Sequence, residues 1–128
     1  MQSLWTKWVK ANKKKFERST VFELKITKKK RLPFSRIEEH QINSLLNASI
    51  GDGDYHKISD QSMDMKPWDC QLIKKADAYI VILFYQPRKP KEYILIDIKD
   101  MVDFIKKSKM KSVTEEEAKL LSSYIVTI

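Results

Sequence analysis

Two residues of opposite charge, Glu23 and Lys25, stand two positions apart in the run Thr20-Val21-Phe22-Glu23-Leu24-Lys25-Ile26-Thr27. Alternation and β-branched content predict a strand there, with Phe22, Leu24 and Ile26 on one face and Glu23, Lys25 and Thr27 on the other. A carboxylate beside an ammonium on one strand face can hold Mg²⁺ while the cation orients or stabilises an attacking water. The same spacing also suits an ordinary ion pair on a solvated strand face. Gln41 adds an amide between Ile37 and Leu45, at i−4 and i+4, where it interrupts the apolar stripe of a helix. A buried amide needs hydrogen-bond partners, which an ion, a catalytic water or a helix-end carbonyl would supply. A further carboxylate, Asp69, follows Lys66-Pro67-Trp68 and opens the strand Cys70-Gln71-Leu72-Ile73, so it would project from the mouth of that strand. A turn aspartate is the plainer reading of the same residue.

These side chains need a scaffold, and the pattern supplies one. Ser3 caps a first helix predicted to run to about Phe16, with Leu4, Trp5, Trp8 and Val9 on one face. After the Thr20–Thr27 strand comes the basic loop Lys28-Lys29-Lys30-Arg31, then Pro33. Ser35 and Glu38 have the spacing of a capping box for a helix reaching about Ala48. Gly51 and Gly53 open a polar segment to Lys66 with a short strand at Tyr55–Ile58. Strands are predicted at Trp68–Ile73, Ala78–Tyr85 and Glu92–Ile96, with a turn at Gln86–Lys91 between the last two. Asp97 caps a helix to about Lys107, Thr114 and Glu117 form another capping box, and Tyr124–Ile128 reads as an edge strand. Residues 1–128 are expected to form one α/β domain with a mixed sheet.

Charge is distributed unevenly. Residues 1–36 hold 12 basic residues and two acids, Glu17 and Glu23, whereas the rest of the chain is slightly acidic, for +8 in all. A basic segment of this density points to a polyanion, either nucleic acid or an anionic membrane surface. The first helix, with Trp5 and Trp8 on one side, would serve at a membrane surface, in a core or at a dimer interface. The apolar run Ala78–Tyr85 is far shorter than the ~20 residues of a membrane span. No secretory signal is visible, and a lone cysteine, Cys70, fits a reducing cytoplasm. Cys70, His40 and His56 are too few and scattered for a structural zinc site.

Taken in order, Phe22-Glu23-Leu24-Lys25-Ile26-Thr27, Leu32-Pro33-Phe34-Ser35, His40-Gln41 and the apolar strand Ala78-Tyr79-Ile80-Val81-Ile82 resemble the PD-(D/E)XK nuclease superfamily. The likeness is to its Holliday-junction-resolvase branch, RecU-like enzymes and their small phage relatives, and it covers roughly residues 20–85. It implies a restriction-endonuclease-like mixed β-sheet core flanked by helices. It also implies Mg²⁺, replaceable by Mn²⁺, held by Glu23, Asp69 and the Leu24 carbonyl. Lys25 would serve the attacking water and Gln41 would help to position it. The family usually places its metal-binding Asp before the Glu-x-Lys strand, where this chain has only Glu17. Either Asp69 supplies the carboxylate from a later strand, in a permuted order, or the site is degenerate.

The expectation that follows is a cytoplasmic, Mg²⁺-dependent DNA endonuclease, a junction resolvase on branched or duplex DNA, working as a homodimer without a membrane or a small-molecule cofactor. Lys28, Lys29, Lys30, Arg31, Arg36, Lys13 and Lys14 are the expected phosphate contacts. The alternatives are a non-catalytic basic nucleic-acid-binding module and an RNA-directed nuclease, because phosphate contacts do not report the sugar. The catalytic reading requires the carboxylates of Glu23 and Asp69 to converge on one ion.

Overall fold

The structure, a computed structural model, describes residues 3–58 and 67–128; Lys66 lies outside them. Helix α1 (Leu4–Ala11) is capped by Ser3, whose hydroxyl accepts the Thr6 N–H. It stops short of the expected Phe16. Asn12 turns its side-chain amide back onto the Trp8 carbonyl at 2.7 Å, and Lys13–Lys15 continues only as a 3-10 turn. The lysines bring no apolar side chain to bury, and short helices are held by packing rather than by propensity.

Strand β1 (Thr20–Thr27) follows, then β2 (Arg31–Pro33) and a 3-10 turn at Phe34–Arg36. Helix α2 (Glu39–Ser49) begins later than Ser35 would have it, with Glu38 as its cap. Ile37 stays extended between the turn and the helix and is 5% exposed, so burying its side chain interrupts the expected helix start. Strands β3 (Asp54–Lys57) and β4 (Cys70–Ile73) form a separate antiparallel hairpin. Strands β5 (Asp77–Phe84) and β6 (Glu92–Asp97), helix α3 (Ile98–Lys107), β7 (Ser112–Thr114), α4 (Glu115–Leu121) and β8 (Tyr124–Thr127) complete the order. Asp97 caps α3, and Thr114 with Glu117 closes the capping box of α4, as the spacing predicts. The short pair β2 and β7 is an addition to the expected elements: three residues carry too little alternation to announce a strand.

The main sheet has the order β1-β5-β6-β8. Strands β1 and β5 are parallel, Thr20 opposite Asp77 through Thr27 opposite Phe84, and the other pairs are antiparallel. This is a mixed α/β sheet flanked by helices on both faces. On one face Ile80, Ile82, Ile94 and Ile96 pack with Leu45 of α2, Met101 of α3 and Ala118 of α4. On the other, Val81, Leu83, Tyr93 and Leu95 pack with Trp5 of α1. Burial on both faces explains why β5 reads as an unbroken apolar run rather than an alternating one.

The helix α1 stripe is therefore an internal one. Trp5 is 4% exposed, stacked on Trp8 at 5.3 Å and in edge contact with Phe22. Of Leu4, Trp5 and Trp8, only Leu4 is exposed, so Trp5 anchors a core and is not available as a membrane or dimer anchor. No helix among the described residues is long and apolar enough to cross a membrane.

Candidate active site on the edge strand

The period of two along β1 divides the strand. Phe22 and Leu24 pack on the α1 side, and Val21 packs on the α2 side. Glu23 and Lys25 share the side of Val21, beneath the first turn of α2. Lys25 Nζ stands 3.3 Å from Glu23 Oε1, and the lysine side chain is only 13% exposed. Gln41 Nε2 donates to the same Glu23 oxygen at 2.9 Å. Three of the four predicted side chains thus meet, although Gln41 lies 18 residues from Glu23 in the chain.

Gln41 owes its orientation to the helix start. It occupies the third position of α2, and its Oε1 accepts the N–H of the cap residue Glu38 at 3.1 Å. This is the return half of a capping box, which satisfies one of the amides that every helix N-terminus leaves unpaired. With the carbonyl end fixed on the helix, the amino end is aimed at Glu23. The side chain that interrupts the apolar stripe is therefore a positioning residue for the carboxylate. Its amino group carries a second hydrogen that remains for a water or substrate. Gln41→Leu is expected to lower any metal affinity or activity of the site by about 10–100-fold, the usual effect of losing a residue that orients a ligand. Metal titration monitored by calorimetry, beside a thermal melt, checks it.

The backbone of β1 contributes as well. Among the described residues β1 pairs with β5 alone, so its other edge is open. Asp77 N–H bonds the Ser19 carbonyl and Tyr85 N–H bonds the Thr27 carbonyl. Odd-numbered residues of the strand therefore turn their backbone groups toward β5, and even-numbered ones turn theirs outward. The Leu24 carbonyl points to the open edge between Glu23 and Lys25. The next outward carbonyl, Ile26, accepts from Arg36 Nη2 at 3.1 Å. Both described contacts of Glu23 fall on Oε1, which leaves Oε2 for a cation.

Asp69 occupies a different place. It lies exposed immediately before β4, in the β3–β4 hairpin and not in the sheet that carries Glu23. Its carbonyl accepts the Ile58 N–H at 2.8 Å, which sets the closing end of the hairpin. Among the described residues no group of three or more His, Cys, Asp or Glu side chains is placed to hold a metal ion. The donors on the β1 edge, one carboxylate and one carbonyl, are both hard oxygens. They fit Mg²⁺, which commonly takes one or two carboxylates and completes its shell with water and substrate phosphate.

The expected phosphate-binding residues divide into two groups. Lys28, Lys29, Lys30 and Arg31 line a groove of about 630 Å³ at the carboxyl end of β1, together with Tyr85, Gln86, Glu115 and Glu116. Arg31 Nη1 also donates to Ser112 Oγ at 3.1 Å, and Arg36 is engaged on Ile26. Lys13 and Lys14 sit before the amino end of β1, and eight residues of strand separate the two groups by roughly 26 Å.

Sequence reading missed the second loop at the carboxyl end. Arg88, Lys89 and Lys91 belong to the β5–β6 connection, and the pairing of Thr27 with Phe84 sets that connection beside the Lys28–Arg31 loop. Lys89 and Lys91 share an adjoining cavity with Gln86. The turn itself is legible from Pro87 and Pro90. Its juxtaposition with a loop far earlier in the chain is not, because only the parallel register creates it. No protein-family model, curated protein or solved structure matches this chain.

Proposed function

We propose that this protein is a Mg²⁺-dependent endonuclease acting on DNA, with branched DNA such as a four-way junction as its preferred substrate. The observation that carries this reading is the convergence of Glu23, Lys25 and Gln41 at the open edge of β1, next to an outward Leu24 carbonyl. Glu23 Oε2 and the Leu24 carbonyl would be the chain's own ligands for the ion, with water and substrate phosphate completing its shell. Bound there, Mg²⁺ supplies charge neutralisation and Lewis-acid activation at the phosphate. Lys25, largely shielded and held by Glu23, presents a fixed positive charge to an attacking water and to the charge that develops on the phosphoryl oxygens. Gln41 keeps the Glu23 carboxylate in one orientation. Lys28, Lys29 and Lys30, at the end of the same strand, grip the backbone that is to be cut.

One observation favours the non-catalytic alternative: Asp69 belongs to a separate hairpin, and a two-carboxylate site needs it beside Glu23. Under that reading Glu23–Lys25 is a structural ion pair in a nucleic-acid-binding module. A cleavage assay decides between them. It uses Mg²⁺ or Mn²⁺ with a four-way junction, linear duplex, single-stranded DNA and RNA. Metal-dependent cutting of DNA supports the nuclease, cutting of RNA alone supports the RNA-directed reading, and binding without cutting supports the module.

In either case the basic loop is expected to make binding sensitive to salt. Changing Lys28, Lys29 and Lys30 together to Gln should reduce the log–log slope of duplex affinity against salt by about 0.9 for each phosphate released. Fluorescence anisotropy across a salt series measures it.

A further inference from the structure

The lysines of the first 3-10 turn lie far from the Lys28–Arg31 loop, and they adjoin a second concavity. On the α1 face of the sheet a groove of about 560 Å³ opens where the short helix stops. Trp8, Phe16, Tyr79 and, from β8, Tyr124 are among the residues that line it. Trp8 and Phe16 meet edge to face at 6.3 Å, and Tyr79 and Tyr124 do so at 6.2 Å. Tyr124 is nevertheless 61% exposed and lines the groove. Lys15 Nζ lies 5.7 Å above the Trp8 ring, and Lys13 and Lys14 beside it are exposed. Of the two acids in the lining, Asp77 is paired with Arg18 at 3.5 Å, and Glu17 stands two residues after Lys15. Burial, and then the Asp77 carboxylate, push the Tyr79 phenol above its ordinary range, so it stays a neutral hydroxyl.

We propose that this groove binds a single-stranded segment of nucleic acid, its bases stacking on Tyr124 and its phosphates contacting Lys13, Lys14 and Lys15. Aromatic faces beside a run of ammonium groups are what sequence-tolerant single-strand binding requires, since every base offers a π-face and every linkage a charge. Paired bases in a duplex keep their faces covered and gain nothing from such rings. The inference rests on the nucleic-acid reading above and deepens it to a substrate class, DNA with a single-stranded portion at its branch. Thr20, which opens β1, lines the groove, and Glu23 lies three residues further, roughly 10 Å along the strand. Because β1 is an edge strand, a chain passing that edge meets the groove on one face and Glu23 with Lys25 on the other.

The experiment measures binding of an oligothymidylate to the full chain in EDTA, by fluorescence anisotropy and tryptophan quenching, with an oligouridylate as a second arm. Tyr124→Ala should weaken oligothymidylate binding about tenfold, and Tyr124→Phe, which keeps the ring, should restore it to within about twofold. Changing Lys13, Lys14 and Lys15 to Gln should lower the salt slope by about 0.7 for each phosphate released. Unchanged affinity in Tyr124→Ala overturns the proposal. So does equal loss in Tyr124→Ala and Tyr124→Phe, or a Tyr124-dependent self-association with unaltered oligonucleotide binding. The exposed position of Tyr124 keeps these variants folded, which a thermal melt verifies. Cleavage by the unmodified protein in Mg²⁺ is scored separately. Cutting without a Tyr124 effect rejects the groove alone, and a Tyr124 effect without cutting rejects the nuclease alone.

Discussion

Lys25→Ala should lower Mg²⁺-dependent cleavage by about 10²–10³-fold, the range seen when one preorganised stabiliser of developing charge is removed. DNA binding in the absence of metal should persist, because the loop lysines proposed to carry it are untouched. The ammonium sits 3.3 Å from Glu23 and is mostly shielded from water, so under the proposed function its charge would act on a bound phosphate with little solvent screening. Glu23→Ala should abolish cleavage to a similar or greater extent, since it removes the carboxylate that both Lys25 and Gln41 address. Single-turnover cleavage of a labelled junction, run beside anisotropy in EDTA, separates chemistry from binding. Full activity in both variants would falsify the nuclease assignment. Loss of binding together with cleavage would instead show that the pair holds the basic surface in place.

Trp5→Ala is expected to cost about 3–5 kcal/mol of stability, the range for removing a large aromatic side chain from a core. That is a substantial part of the roughly 5–15 kcal/mol by which a domain is stable. The indole contacts Trp8, Phe22 and Tyr93, three rings from α1, β1 and β6, so its loss opens a cavity that several elements share. Its Nε1–H is buried without a hydrogen-bond partner among the described residues. Trp5→Phe should therefore cost much less: it keeps most of the apolar contact and removes an unsatisfied donor. Urea denaturation of the two variants measures the difference. A membrane-surface or dimer anchor would behave otherwise, changing vesicle binding or oligomeric state while leaving the monomer's stability intact.

How much of the molecule is legible in its sequence varies with the range of the interaction. Glu23 and Lys25 are paired because strand geometry puts i and i+2 on one side, and the Asp97 and Thr114 caps follow from side chains that bond amides two and three residues away. The start of α2 departs from its local signal for a nonlocal reason: Ile37 is drawn into the core, and the capping box shifts to Glu38 and Gln41. Trp5 shows the same limit. An amphipathic stripe reports that a face is buried, and only the sheet beneath it decides that the partner is Tyr93 of the same chain.

Periodicity, capping and composition act over a few residues, and they suffice to specify three things. These are an α/β chain, a strand bearing a carboxylate and an ammonium side by side, and a concentration of positive charge in the first 36 residues. Tertiary structure alone makes β1 an edge strand, brings Gln41 to Glu23, and stands Asp69 in a separate hairpin. It also sets the Arg88–Lys91 turn beside the Lys28–Arg31 loop and divides the basic segment between the two ends of β1. Those outcomes depend on which strands pair and in which register. Pairing and register are in turn settled by the joint burial of side chains from β5, β6 and the helices on both faces of the sheet, a property no local stretch of the chain contains.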